Sequence, residues 1–116
     1  MKLKELVNHI EINPRKLTEY ALNPDNPKGA NKALMFQRHL GYTKDNYQPL
    51  LDQIYDQALD AEATFQFKDE HGERYQIDLE ITGIEPDQQE IVRTGWIREL
   101  NAKTARLVTL YVKKRS

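Results

Sequence analysis

The sequence predicts an α+β domain: N-terminal helices packed on one face of a four-stranded antiparallel sheet. Two observations predict it. Up to about residue 61 apolar side chains recur at helical spacing, and from residue 63 they alternate with polar ones. Proline, glycine and asparagine then punctuate the chain where elements should start and stop. With 116 residues the chain suits one compact domain. It divides into an arm or helix over 1–12, helices over 13–61 and the antiparallel sheet over 62–113.

The first twelve residues are ambiguous. Leu3, Leu6, Val7 and Ile10 fit a helix, whereas Val7, Ile10 and Ile12 also fit an extended arm. Asn13-Pro14 is a helix start, an Asn cap followed by proline at the first helical position. Leu17, Tyr20 and Ala21 form its apolar stripe, and it should stop at Asn23-Pro24. After a loop, Asn31 can cap a second helix with Ala33, Phe36 and Leu40 facing inward and Gly41 as its stop. Thr43 or Asn46 caps a third helix, whose first turn holds Pro49. Its buried face should be Leu51, Ile54, Tyr55 and Ala58, ending near Ala61.

Ala63, Phe65 and Phe67 open the alternating region, and Asp69-Glu70-His71-Gly72 reads as a hairpin turn. Tyr75, Ile77, Leu79 and Ile81 alternate with Arg74, Gln76, Asp78 and Glu80, a half-buried strand. After a loop over 83–89, strands over about 90–99 and 105–113 complete the sheet. In the former, Val92, Thr94 and Trp96 share one face and Ile91, Arg93, Gly95 and Ile97 the other. Trp96 is expected in the core with its N–H satisfied, rather than stacked on a base. In the last strand Val108, Leu110 and Val112 should face the core, leaving Thr109 and Tyr111 opposite, together with Leu107.

Composition narrows the function. There are no cysteines, so disulfides and cysteine metal sites are excluded. The three histidines lie far apart, the acids form no paired-carboxylate motif, and there is no Gly-rich phosphate loop or GxSxG elbow. No cofactor and no metal site are expected. No apolar run approaches a membrane span and the N-terminus lacks a signal-peptide pattern, so a cytoplasmic protein without a membrane partner is expected. The net charge of −1 conceals strong polarity. Residues 1–44 carry eight basic and four acidic side chains (+4), residues 45–90 two and thirteen (−11), and residues 91–116 seven and one (+6). The two basic ends could form a face for a phosphate backbone, or the acidic middle could simply neutralise them.

Lys28 and Lys32 flank the start of the second helix, where the dipole prefers acids. Either they are merely solvated, or an anion binds there. Lys32 and His39, seven residues apart, share one helical stripe. Lys, Arg, His and Tyr can together neutralise a pentacoordinate phosphate and move protons without a metal.

Five segments in order carry a resemblance: "RKLTEYALNPDNPKG", "KALMFQRHLGYT", "DEHGERYQIDLEITG", "VRTGWI" and "RLVTLYV". From about Ile10 to Val112 the chain resembles a group of small bacterial domains of unknown function. They occur alone or at the C-terminal ends of large secreted toxins, and many look like toxins of toxin–antitoxin or polymorphic-toxin systems. Their plan is similar to the barnase–EndoU–colicin–RelE class of metal-independent ribonucleases. The resemblance implies a site made of Lys32, Arg93, Thr109 and Tyr111. It departs at Asn31, where members often have histidine, and at "NAKT", where they often have a Gly-rich acidic loop.

These readings together lead to the expectation of a toxin-like, metal-independent endoribonuclease that cuts RNA. Lys32 and Arg93 would be phosphate and transition-state cations, Thr109 would position the phosphate, and Tyr111 or His39 would transfer protons. Lys28 and Arg106 would anchor the RNA, and an acidic antitoxin or immunity protein would be the partner. The alternatives are a non-catalytic protein-binding module and an RNA-binding domain that does not cleave.

Overall fold

The computed structural model describes residues 1–113. Strands β1 (His9–Glu11), β2 (Thr64–Asp69), β3 (Gly72–Thr82), β4 (Gln89–Arg98) and β5 (Thr104–Val112) form one sheet in the order β1-β5-β4-β3-β2. Helices α1 (Ala30–Leu40) and α2 (Gln48–Gln57) precede β2. The α+β class therefore holds, but the sheet has five strands, not four. The extra strand is β1, which runs parallel to β5 through Ile10↔Ala105. Residues 1–12 combine a 3₁₀ turn at Leu3–Glu5 with a three-residue extended strand. A strand that short is below the length at which alternation can be read.

The helical half starts as the prolines dictate. The Asn13 side chain accepts a hydrogen bond from the Arg15 amide at 3.0 Å. The turn that follows, Lys16–Ala21, is π-helical, with the Leu22 amide donating to the Leu17 carbonyl. Leu17 and Ala21 are buried, whereas Tyr20 is half exposed. Helix α1 is capped by Gly29 rather than Asn31, which lies inside its first turn. Gly29 is required there, because a Cβ would stand 2.4 Å from the Tyr20 carbonyl oxygen. Gly41 ends the helix in the left-handed region, φ 76°, as glycine allows. Tyr47, not Thr43 or Asn46, is the cap of α2, and Pro49 lies in its first turn. On α2 the buried face is Leu50, Leu51 and Ile54; Tyr55 points to solvent.

The core lies between the helices and one face of the sheet. Phe36, Leu40, Leu50 and Ile54 meet Tyr75, Ile77, Leu79, Val92, Trp96 and Leu110 there. Trp96 is buried with its indole N–H donating to Thr94 Oγ1 at 2.7 Å, and Thr94 Oγ1 donates to the Ile77 carbonyl. Two bulges revise the alternation. Gly95 pairs with Thr109 but Trp96 pairs with Leu107, so one residue of β5 is extra. Leu107 is consequently in the core and Val108 only half-buried, the reverse of the plain period-2 reading. A second shift between Phe65 and Phe67 sends these rings to opposite faces. Phe65 packs edge-on against Tyr75, while Phe67 lies under Arg74 on the outer face. No helix among the described residues is long and apolar enough to cross a membrane.

Candidate functional site

The segment before α1 is held by its asparagines. Asn23 and Asn26 accept hydrogen bonds from the amides of Asp25 and Lys28, and both donate to the Glu19 carbonyl. Such Asx turns fix the backbone locally. With Gly29 pressed on Tyr20, they set where Lys28 emerges and where α1 begins. Lys32 is the third residue of α1.

Strand β1 pairs with β5 only over residues 104–106. Beyond that point β5 has no strand on this side among the described residues, and the π-helical turn and α1 contact it instead. Lys32 therefore reaches around the edge of β5 to its outer face. Its Nζ donates to Thr109 Oγ1 at 3.2 Å and lies 5.4 Å from the centre of the Tyr111 ring. Such a contact between an ammonium and an aromatic face is attractive.

Lys32 stands between two hollows. One, of about 130 Å³, is lined by Lys16, Tyr20, Lys28, Gly29, Lys32 and Thr109. Lys16, Lys28 and Lys32 have no carboxylate partner among the described residues. Three like charges around one cleft repel one another unless an anion enters. The other hollow, of about 460 Å³, is lined by Asn31, Lys32, Met35, Arg93, Tyr111 and Lys113.

Arg93 lies next to Tyr111 across the β4–β5 ladder. Its guanidinium donates twice to Asp78, Nε to Oδ1 at 2.9 Å and Nη2 to Oδ2 at 3.2 Å. Lys113 Nζ lies 3.7 Å from the same carboxylate. The Arg93 hydrogen bonds hold the Asp78 carboxyl below the usual carboxylate range, and they raise Arg93 above its ordinary value. Arg93 and Lys113 share that one acid, and with the unpaired Lys32 the hollow has an excess of two positive charges.

The expected site residues are distributed unevenly. Lys28, Lys32, Thr109, Tyr111 and Arg93 come together around the edge of β5 that β1 leaves unpaired. His39 does not join them. It is half-buried two helical turns beyond Lys32, about 10 Å along the axis, and lines neither hollow. Arg106 pairs with Glu99 at 3.5 Å and lines a neighbouring hollow of about 540 Å³ with Lys16, His71 and Arg74. Lys16, Tyr20 and Lys113 were not singled out from the sequence. Lys113 was within reach, because alternation puts it on the face of Arg93's neighbour Tyr111. Lys16 was not, because a π turn shifts the helical phase. Among the described residues no three His, Asp or Glu side chains converge as a metal site.

Fold and site define a small α+β domain with a cationic patch beside the β5 edge of a mixed five-stranded sheet. The chain belongs to the family described as Domain of unknown function (DUF6883), whose model matches residues 2–114. No curated protein and no solved structure matches it.

Proposed function

We propose that this domain is a toxin-like, metal-independent endoribonuclease, built on the plan of the barnase–EndoU–colicin–RelE toxins and acting on cytoplasmic RNA. The observation that carries this reading is the 3.2 Å contact between Lys32 Nζ and Thr109 Oγ1 beside the Tyr111 ring. It joins a cation, a hydroxyl and a phenol at the rim of a solvent-open hollow. A phosphodiester there would exchange the Thr109 contact of Lys32 for a charge-assisted bond to a phosphate oxygen. The RNA 2′-oxygen would form the new bond to phosphorus, its proton passing to water, and the bond to the 5′-oxygen would break. Tyr111 would protonate that leaving oxygen, and Lys32 and Arg93 would neutralise the equatorial oxygens. His39 takes no part, given its distance. An acidic antitoxin or immunity protein would silence the domain by covering the same patch.

A second reading, RNA binding without cleavage, is favoured by one observation. Asp78 already engages Arg93, so the transition-state cation must first be released. Incubating the purified chain with total RNA in EDTA separates the two. Cleavage yields fragments ending in 2′,3′-cyclic phosphate, and Lys32→Ala lowers the rate about a hundredfold. Shifted but intact RNA supports the second reading. No shift and no cleavage removes both and leaves a protein-binding module.

A further inference from the structure

On the outer face of the sheet, Gln76, Gly95 and Thr109 are paired in one row across β3, β4 and β5. With strands about 4.8 Å apart, the row spans about 10 Å from Gln76 to Thr109. Gly95 leaves its centre bare; a Cβ there would stand 2.9 Å from Thr109 Cγ2. The resulting trough, of about 220 Å³, is bordered by Phe67, Arg74, Arg93 and Tyr111. At one end is Thr109, which holds Lys32. At the other is Gln76, whose side-chain amide has no partner among the described residues. Arg74 also has an unused donor, since its buried Nε has no hydrogen-bond partner. Phe67 is 54% exposed at the border of the trough.

These features share an explanation. A bare floor between an aromatic ring and guanidinium groups suits a flat, π-faced ligand. An amide at the far end suits a ligand edge with both donors and acceptors. A cation and a hydroxyl at the near end suit a phosphate. We propose that the trough over Gly95 holds the unpaired base of a nucleotide whose phosphate lies at Lys32 and Thr109, with Gln76 reading the base edge. The nucleotide identity rests on the ribonuclease reading. The consequence is a substrate class: single-stranded RNA with a preferred base, since a base within a duplex cannot lie flat on a sheet. Gln76 is then a specificity-determining residue, as a side-chain amide can pair with a base edge through two hydrogen bonds.

The test titrates the full chain with inorganic phosphate and with each of the four 3′-mononucleotides by calorimetry. At least one mononucleotide is expected to bind about tenfold tighter than phosphate, with a spread of affinities among the bases. Gln76→Ala should collapse that spread to about twofold. Phe67→Ala should weaken every mononucleotide about tenfold through lost stacking. Gln76 and Phe67 are solvent-accessible, so both variants should fold. Mononucleotides no tighter than phosphate, a spread absent from the parent chain, or a spread that survives Gln76→Ala would overturn the proposal. RNA cleavage is scored separately on the same preparation. Base-dependent binding without cleavage removes the ribonuclease reading and keeps the trough, whereas cleavage without base-dependent binding removes the trough alone.

Discussion

Asp78 accepts two hydrogen bonds from Arg93 and lies 3.7 Å from Lys113, so it competes with any phosphate for both cations. The pair is partly exposed, and exposed pairs contribute little to stability, on the order of 0–1 kcal/mol. Its larger effect is on charge. Asp78→Asn is expected to strengthen RNA binding several-fold at low salt, because Arg93 and Lys113 then face the hollow unopposed. Electrophoretic mobility shift at fixed salt checks this; weaker binding would mean that Asp78 holds Arg93 in a competent position instead. The same substitution has a pH signature. The Asp78 carboxyl titrates below its unfolded value because Arg93 bonds its charged form. Its contribution is therefore present above about pH 4 and is lost as pH falls through the depressed value. Thermal melts between pH 5 and 2 should fall less steeply for Asp78→Asn than for the parent chain.

Gln53 shows how one side chain can join two elements. Its amide donates to the Thr82 carbonyl at 3.0 Å and accepts from the Thr82 amide at 2.8 Å, clipping α2 to the end of β3. It also donates to the Tyr42 hydroxyl, which itself donates to the Thr82 carbonyl at 2.6 Å. Gln53→Ala removes its bonds to both Thr82 groups; the carbonyl keeps the Tyr42 hydroxyl and the amide can be rehydrated at this exposed position. A loss of about 1–2 kcal/mol in urea unfolding is expected; a change within about 0.3 kcal/mol would show that helix packing alone holds α2. Element by element, much of this was legible in the sequence. The switch from period 3.6 to period 2 marked where helices give way to strands, and Gly41 and Pro49 marked helix ends. Other features escaped. β1 is too short to show alternation. The bulges at Val108 and Gln66 insert a residue that period-2 counting cannot see, which misplaced Leu107 and Phe67. The cap at Gly29 follows from a close approach to Tyr20, a residue nine positions earlier. At the site, Thr109 and Tyr111 were read correctly as outward-facing because they follow the bulge in phase with Leu110. His39 was grouped with Lys32 because helical spacing gives a shared stripe but not a shared reach.

At the scale of the whole molecule, the acidic middle neutralises part of the basic ends, through Asp60 with Lys4, Glu73 with Arg98 and Asp78 with Arg93 and Lys113, and leaves the cleft of Lys16, Lys28 and Lys32 without a carboxylate partner among the described residues. Helix α1 contacts β4 and β5, whereas α2, with exposed Asp52 and Asp56, contacts β3. The basic ends of the chain meet because β5, the last strand, runs beside both β1 and the helical segment that carries Lys16, Lys28 and Lys32. On the proposed RNA reading, this lysine cleft is what would hold the polyanion, although the net charge is only −1. The prediction is quantitative. Each phosphate neutralised on a single strand contributes about −0.7 to the slope of log K against log salt. Arg93 is already occupied by Asp78 and Arg106 by Glu99, so they add little. Three unpaired lysines around one cleft therefore give a slope of about −2. Lys28→Ala, on an exposed loop side chain with no side-chain hydrogen bond or ion pair among the described residues, should reduce it to about −1.4 without lowering the melting temperature. Binding of a single-stranded RNA oligonucleotide measured by fluorescence anisotropy between 50 and 300 mM salt gives the slope. A value near zero, or one that Lys28→Ala leaves unchanged, would mean that the lysine cleft does not carry the backbone, and the RNA reading would lose its electrostatic basis.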